Sequence, residues 1–132
     1  WVDDMLIGAL GPRISNLLEE VNAESDFSLS LVCTDAGLLI AAAGDGADED
    51  QLAGLTSLFD DIVVRANRDV GLGTIDEVTL LDPVWGRCVV RPLPIEADFG
   101  RLFLVVRVGP KNTWRRYSNK LRREIAQMFE ER

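Results

Sequence analysis

Four carboxylates stand within six positions at Asp45, Asp48, Glu49 and Asp50, immediately behind Gly44 and around Gly46. Acids gathered around glycines are the raw material of a metal or phosphate loop, so the spacing decides what this stretch can do. A calcium loop takes ligands at alternating positions and glycine at the sixth. Counted from Asp45, the third residue is Ala47 and the sixth is Asp50, and the pattern fails. A phosphate loop needs a lysine behind its glycines, so that charge and backbone amides act together. Here acids follow instead, and they would repel phosphate. What acids do well in such a place is open a helix. Asp45 or Asp48 can accept hydrogen bonds from free backbone amides, and Asp48, Glu49 and Asp50 favour the positive end of a helix dipole by about 0.3 to 1 kcal/mol each.

The remaining chemistry is narrow. Histidine is absent, which removes the commonest general base, the Ser-His and Cys-His nucleophile pairs and most zinc sites. Cys33 and Cys88 lie 55 positions apart, each inside an apolar run, which is neither a metal-ligand spacing nor a disulfide framework. Both read as small core residues in a reduced, cytoplasmic setting. What chemistry is left belongs to carboxylates and lysines, and no spacing forces two acids into one cleft. No catalytic residue, cofactor or metal site is expected.

Charge is lopsided. Residues 1–110 carry 7 basic and 19 acidic side chains, whereas residues 111–132 carry 7 basic and 3 acidic. The acidic body argues against nucleic acid as the main partner, because phosphate neutralisation drives that binding, while the basic tail keeps a weaker possibility open. The longest apolar stretch, Leu102 to Val108, is too short to cross a bilayer and is broken by Arg107. A chain of 132 residues with 47% hydrophobic content reads as one ordinary domain with a substantial core.

The elements follow from periodicity. Ile14, Leu17, Leu18 and Val21 fall at helical spacing from Pro12 to about Ala23, with Pro12 suited to the first turn, and Asp3 to Leu10 is a candidate short helix ahead of it. Leu29, Leu31 and Cys33 alternate with Ser30, Val32 and Thr34. The break Asp35-Ala36-Gly37 and the run Leu38 to Ala43 complete a hairpin. Residues 47–70 form the longest helical pattern. Leu52, Leu55, Leu58, Phe59, Ile62, Val63, Ala66 and Val70 share an arc of roughly 140°, which is expected to pack on a sheet. A second row, Ala53, Ser57, Asp60 and Val64, is mostly small or apolar on the outer side. It reads either as helix contact across a dimer axis or as a solvated face of small residues.

Gly71 is placed to end this helix in a left-handed conformation. Three strands follow, at Thr74 to Asp82, Arg87 to Leu93 and Arg101 to Val108. Successive apolar residues over Leu102–Val106 predict a central strand covered on both faces, and Pro92 predicts a bulge or an early end to its strand. Trp85, between Pro83 and Gly86, is either an exposed contact residue or folded back on its own strand. The last helix puts Trp114, Tyr117, Leu121, Ile125, Met128 and Phe129 on one arc and Arg115, Arg116, Lys120, Arg122 and Arg123 off it. Docking on the sheet is the expected role of that stripe, with a membrane surface or an acidic partner as the alternative.

The predicted class is α+β, in the order α-β-β-α-β-β-β-α, with a five-stranded antiparallel sheet, a long helix on one face and terminal helices on the other. In this order, and in Leu31-Val-Cys-Thr-Asp-Ala-Gly-Leu-Leu-Ile-Ala-Ala-Ala, the chain resembles the roadblock/dynein light-chain family. Bacterial members of that family include MglB-type regulators of small Ras-like GTPases. The resemblance covers residues 12–129 as the core, with 1–11 as an N-terminal extension. It implies a profilin-like architecture and a homodimer formed through the long helix and the strand that opens the meander. Carried onto this sequence, that places Ala53, Ser57, Asp60, Val64, Ile75, Glu77 and Thr79 at the candidate interface. It also implies a non-catalytic module that binds a small Ras-like GTPase or scaffolds a signalling assembly. No arginine, including Arg65, Arg68 and Arg115, carries a catalytic signature. The alternative function is a small-molecule sensor holding its ligand between the sheet and the terminal helix, with Trp114 and Tyr117 as walls.

Overall fold

The computed structural model of the chain describes residues 2–44, 49–97, 100–109 and 114–131, with side chains throughout these except at 2–7, 49–51, 96 and 97. Asp45 and Asp48, expected from the sequence to open the long helix, and the side chains of Glu49 and Asp50 therefore lie outside the described residues. The elements are α1 (Val2–Glu24), β1 (Phe27–Thr34), β2 (Leu39–Gly44), α2 (Glu49–Arg65) with a π-helical turn at Ala66–Val70, β3 (Val78–Asp82), β4 (Gly86–Ala97), β5 (Gly100–Val108) and α3 (Trp114–Glu130). The five strands form one antiparallel sheet in the order β2-β1-β5-β4-β3.

Strand alternation divides the core into two layers. Val32, Val89, Leu102, Leu104 and Val106 face α1 and α3, where they meet Ile14, Leu18, Val21, Leu121 and Ile125. Leu31, Cys33, Cys88, Val90, Phe103 and Val105 face the other way, toward Ala53 and Phe59 of α2. β5 is central, as its unbroken apolar run requires, and Leu102 through Val106 are all buried. The register of β4 on β5 shifts between Pro92 and Glu96, the irregularity expected where a proline cannot donate to the ladder. α3 docks its apolar stripe through Trp114, Leu121, Ile125 and Phe129.

The sequence expectation needs correction at α1. The helix does not start at Pro12 but runs through it, continuous from Val2. An interior proline forfeits a hydrogen bond and crowds the carbonyl four residues back, at roughly 3 kcal/mol. Burial of Leu10, Ile14, Leu17, Leu18 and Val21 in one stripe offsets that cost, at about 1.5 to 3 kcal/mol per side chain. Gly11 supports the same packing, since a Cβ there would stand 3.3 Å from the carbonyl oxygen of Ile40 in β2.

The β1–β2 turn is built from its own side chains. Thr34 Oγ1 accepts from the amides of Ala36 at 3.3 Å and Leu38 at 3.1 Å, while Gly37 takes φ +84°. A Cβ on Gly37 would stand 3.2 Å from the carbonyl oxygen of Ala53, so the turn is also where α2 rests. Gly44 ends β2 at φ +104°, where a Cβ would overlap the carbonyl oxygen of Ser28 and stand 2.9 Å from Leu29 Cα. Both obstacles are backbone and cannot swing aside. Gly44→Ala is therefore expected to destabilise the fold by roughly 2 to 4 kcal/mol, adding backbone strain to overpacking. Thermal unfolding followed by circular dichroism should show a lowered Tm. An unchanged Tm would mean that β2 ends differently.

Candidate functional site

α2 does not sit on the sheet as its widest apolar arc suggests. Ala53, Thr56 and Phe59 are the buried positions, at spacings of three, and Asp60 is half-buried beside them. At about 100° per residue, the apolar residues Leu55, Leu58 and Ile62 fall in an arc of roughly 60° to one side. They stay exposed, Leu58 by 60%. The expectation that this whole arc packs on the sheet is thus corrected: only its Leu52–Phe59 edge does. Periodicity marks an apolar surface without saying what covers it.

The row proposed for the interface is correspondingly displaced. Ala53 is buried against the chain's own sheet, and Asp60 is ion-paired with Arg101 at the start of β5. Ser57 and Val64 remain exposed, on the flank opposite Leu55, Leu58 and Ile62. The π-helical turn after Arg65 closes on Gly71 at φ +76°, the left-handed end that the sequence predicts. Asn67 Nδ2 then donates to the carbonyls of Leu72 at 2.9 Å and Gly73 at 2.8 Å. Pairing begins only at Val78, so Ile75 and Glu77 precede the strand rather than belong to it. Thr79 lies within it, exposed, with its hydroxyl donating to Glu77 at 3.0 Å.

Among the described residues β3 is an outer strand, paired with β4 alone. Its register puts Leu80 opposite Cys88 and Val78 opposite Val90, so both face the α2 side. α2 packs chiefly over β1, with β2 and β5, leaving this end of the sheet under-covered. The result is an apolar groove of about 530 Å³ between α2 and β3, walled by Leu52, Leu55, Phe59, Leu80, Cys88 and Val105. Leu81 on the same strand is 70% exposed. Leu58 and Ile62 continue the apolar surface along the outer flank of α2. Sequence reasoning put Leu55, Leu58 and Ile62 on the arc expected to pack on the sheet, not on an exposed face, and it did not single out Leu80 or Leu81. Their only signal was an apolar arc wider than one sheet can bury and a strand without clean alternation.

Trp85 is folded back at one end of this groove. It is half-buried, with the Arg107 guanidinium stacked 4.3 Å above its ring. Arg107 also donates to the Trp85 carbonyl from Nε at 3.0 Å and Nη2 at 2.6 Å. Asp82 completes the turn by accepting from the amides of Val84 and Trp85, and those two bonds pull its carboxyl below the usual range. The expected small-molecule walls are not walls: Trp114 is 3% exposed in the core, and Tyr117 packs edge-on against Phe27 with centroids 6.2 Å apart.

At the other face of the same edge lies a polar cluster that sequence reasoning missed. Arg91, in β4, is buried among α3 side chains. Its Nη1 donates to Ser118 Oγ at 2.8 Å and to Asn119 Oδ1, and its Nη2 meets Asp76 Oδ2 at 2.6 Å. Arg122 of α3 reaches the other oxygen of Asp76 at 3.0 Å and the carbonyl of Pro92 at 3.0 Å. Burial first, and the neighbouring Arg91 second, pull the Arg122 guanidinium below its ordinary value. Asp76 is thus the shared counter-ion of two arginines.

No family model matches the chain, and no curated protein matches it. Solved structures do. MglB from Myxococcus xanthus superposes with a TM-score of 0.76 at 17% identity, over 91% of this chain and 90% of that one. The gliding protein MglB from Thermus thermophilus gives 0.75 at 17%, over 94% and 93%. A Roadblock/LC7 domain from Streptomyces avermitilis gives 0.62 at 16%, over 89% and 92%. The chain has the roadblock fold. Another MglB structure, with a TM-score of 0.75, is described as having a tetrameric arrangement.

Within this roadblock fold the thiols are core groups. Burial pushes both Cys33 and Cys88 up to about 11, partly opposed at Cys33 by a hydrogen bond with Thr56. A folded-state pKa raised above the unfolded one leaves stability intact below about pH 8.5 and erodes it as pH rises toward 11. Native protein at pH 8 is therefore expected to react with a disulfide reagent far more slowly than unfolded protein. Fast reaction of either thiol in the native state would contradict its burial. Among the described residues no group of three or more His, Cys, Asp or Glu is placed to hold a metal ion. No described helix is long and apolar enough to cross a membrane.

Proposed function

We propose that the chain is a homodimeric interaction module that binds and regulates a small Ras-like GTPase, or scaffolds an assembly around one, without covalent chemistry of its own. The observation that carries this reading is the continuous apolar face running from the α2 flank (Leu55, Leu58, Ile62) across the groove to the free edge of β3 (Leu80, Leu81). Exposed leucines on an unpaired edge are a liability for a lone molecule, and native proteins cover such edges. A second copy related by a two-fold axis beside β3 would pair the two edges antiparallel into one sheet. The same operation would bring the two α2 flanks together, because an isologous interface uses one patch twice. Such a platform leaves the polar flank of α2, with Ser57, Asp61 and Arg65, free for a further partner. The likeness to MglB supports a GTPase as that partner.

Sedimentation over a range of concentrations should show a reversible dimer, and a small Ras-like GTPase from the same source should bind that dimer and change its rate of GTP hydrolysis. A chain that stays monomeric at high concentration, with a GTPase that neither binds nor responds, would sink the reading.

A further inference from the structure

The Arg91 cluster lies on the opposite face from the groove, yet its anion comes from the segment that feeds the free edge strand. We infer that Arg91 is a positioning residue for β3: through Asp76 it ties the lead-in of that strand to α3, so the edge is held for pairing only while α3 is docked.

The chemistry makes the tie strong and specific. Arg91 side-chain exposure is 5%, so its charge needs a partner, and it finds one at the surface in Asp76, whose side chain is 58% exposed. Ser118 and Asn119 offer neutral oxygens only, and Arg122 adds a second positive charge to the site. Asp76 is the anion that both guanidinium groups touch, and its backbone carbonyl also accepts from Arg91 Nε at 3.4 Å. One residue further on, Glu77 pairs with Arg115 of α3 at 3.5 Å. Two consecutive residues ahead of Val78 are therefore held by α3 and by an arginine that α3 covers. β3 itself is five residues long and has a single partner strand, so it has little else to fix its path. Displacing α3 would remove Ser118, Asn119, Arg115 and Arg122 together. It would also expose Arg91 to water, where Asp76 is no longer needed. The edge would loosen, and with it the pairing surface; this last step rests on the homodimer reading given above.

Hydrogen exchange resolved by peptide, on the full chain, tests the coupling. Asp76→Asn keeps shape and removes the charge, and Arg122→Gln removes the α3 arginine from Asp76 together with its bond to the Pro92 carbonyl. Lys120→Gln is the control, since Lys120 ties α3 to Glu24 of α1 at 3.5 Å and, among the described residues, makes no bond to β3 or its lead-in. Asp76→Asn is expected to speed exchange over 78–82 at least tenfold, Arg122→Gln in the same direction by less, and Lys120→Gln not at all. Exchange over 102–106 should move far less in every case. The inference is overturned if 78–82 exchanges as in the parent, if 78–82 and 102–106 speed up equally, or if Arg122→Gln has no effect there. Sedimentation of the same samples should show the dimer weakened in the order of the exchange effects. If the parent chain proves monomeric, the homodimer reading fails while the exchange pattern still decides the coupling.

Discussion

Leu80→Asp is expected to give a folded monomer. Leu80 sits in the middle of the free edge strand, 49% exposed, with its side chain toward the groove. In the isolated chain the substitution removes little buried surface. Its cost there is that of placing aspartate in a strand, within about 1 kcal/mol. In the proposed dimer the same carboxylate would lie near the two-fold axis, desolvated and close to its symmetry mate. An uncompensated buried charge costs several kcal/mol, and about 1.4 kcal/mol is a tenfold change in an equilibrium constant. The dissociation constant should therefore rise at least a hundredfold while the unfolding midpoint moves little, both readable by sedimentation and urea titration on one preparation. Ser57→Asp is the matched control, since Ser57 is exposed on the other flank of α2. A dimer that survives Leu80→Asp but is lost with Ser57→Asp would return the interface to the Ala53–Val64 row.

That contrast shows where the sequence was legible and where it was not. Element order, the central place of β5, the Gly71 cap and the irregularity at Pro92 all follow from local chemistry, and the structure agrees with each. The start of α1 was misread because a local signal, proline at a helix beginning, lost to the burial of Leu10 and Ile14 on either side of it. α2 was misread for a different reason. Its apolar residues exceed what the sheet covers, and an excess of that kind is invisible until the neighbouring strands are in place. Arg91 was hidden altogether. A single arginine in a Val-rich strand has no sequence signal for a counter-ion 15 positions earlier, and only the fold brings Asp76 and α3 to it. Interaction features were thus the least legible part, since they depend on what remains uncovered after folding.

The largest single loss of stability should come from Phe103→Ala. Phe103 is 1% exposed at the centre of β5 and faces the smaller core layer, between Leu31, Cys33, Val90 and Val105 on the sheet and Ala53 and Phe59 on α2. Truncating a buried phenylalanine typically costs 3 to 5 kcal/mol, much of it from the cavity left behind. Against a total stability of roughly 5 to 15 kcal/mol for an ordinary domain, this is a large fraction. With a urea m-value of about 1 to 3 kcal/mol/M, the midpoint should fall by about 1 M or more. Phe59→Ala provides the comparison. Phe59 faces the same layer but also lines the open groove, where solvent can occupy the vacated space and relieve the cavity. Its loss should be the smaller of the two. Equal losses would mean that the groove is sealed in solution, as it would be in a dimer too tight to separate at the protein concentration used. Repeating the pair in the Leu80→Asp background distinguishes that case: the gap between the two phenylalanines should then open, because the monomer leaves the groove to water.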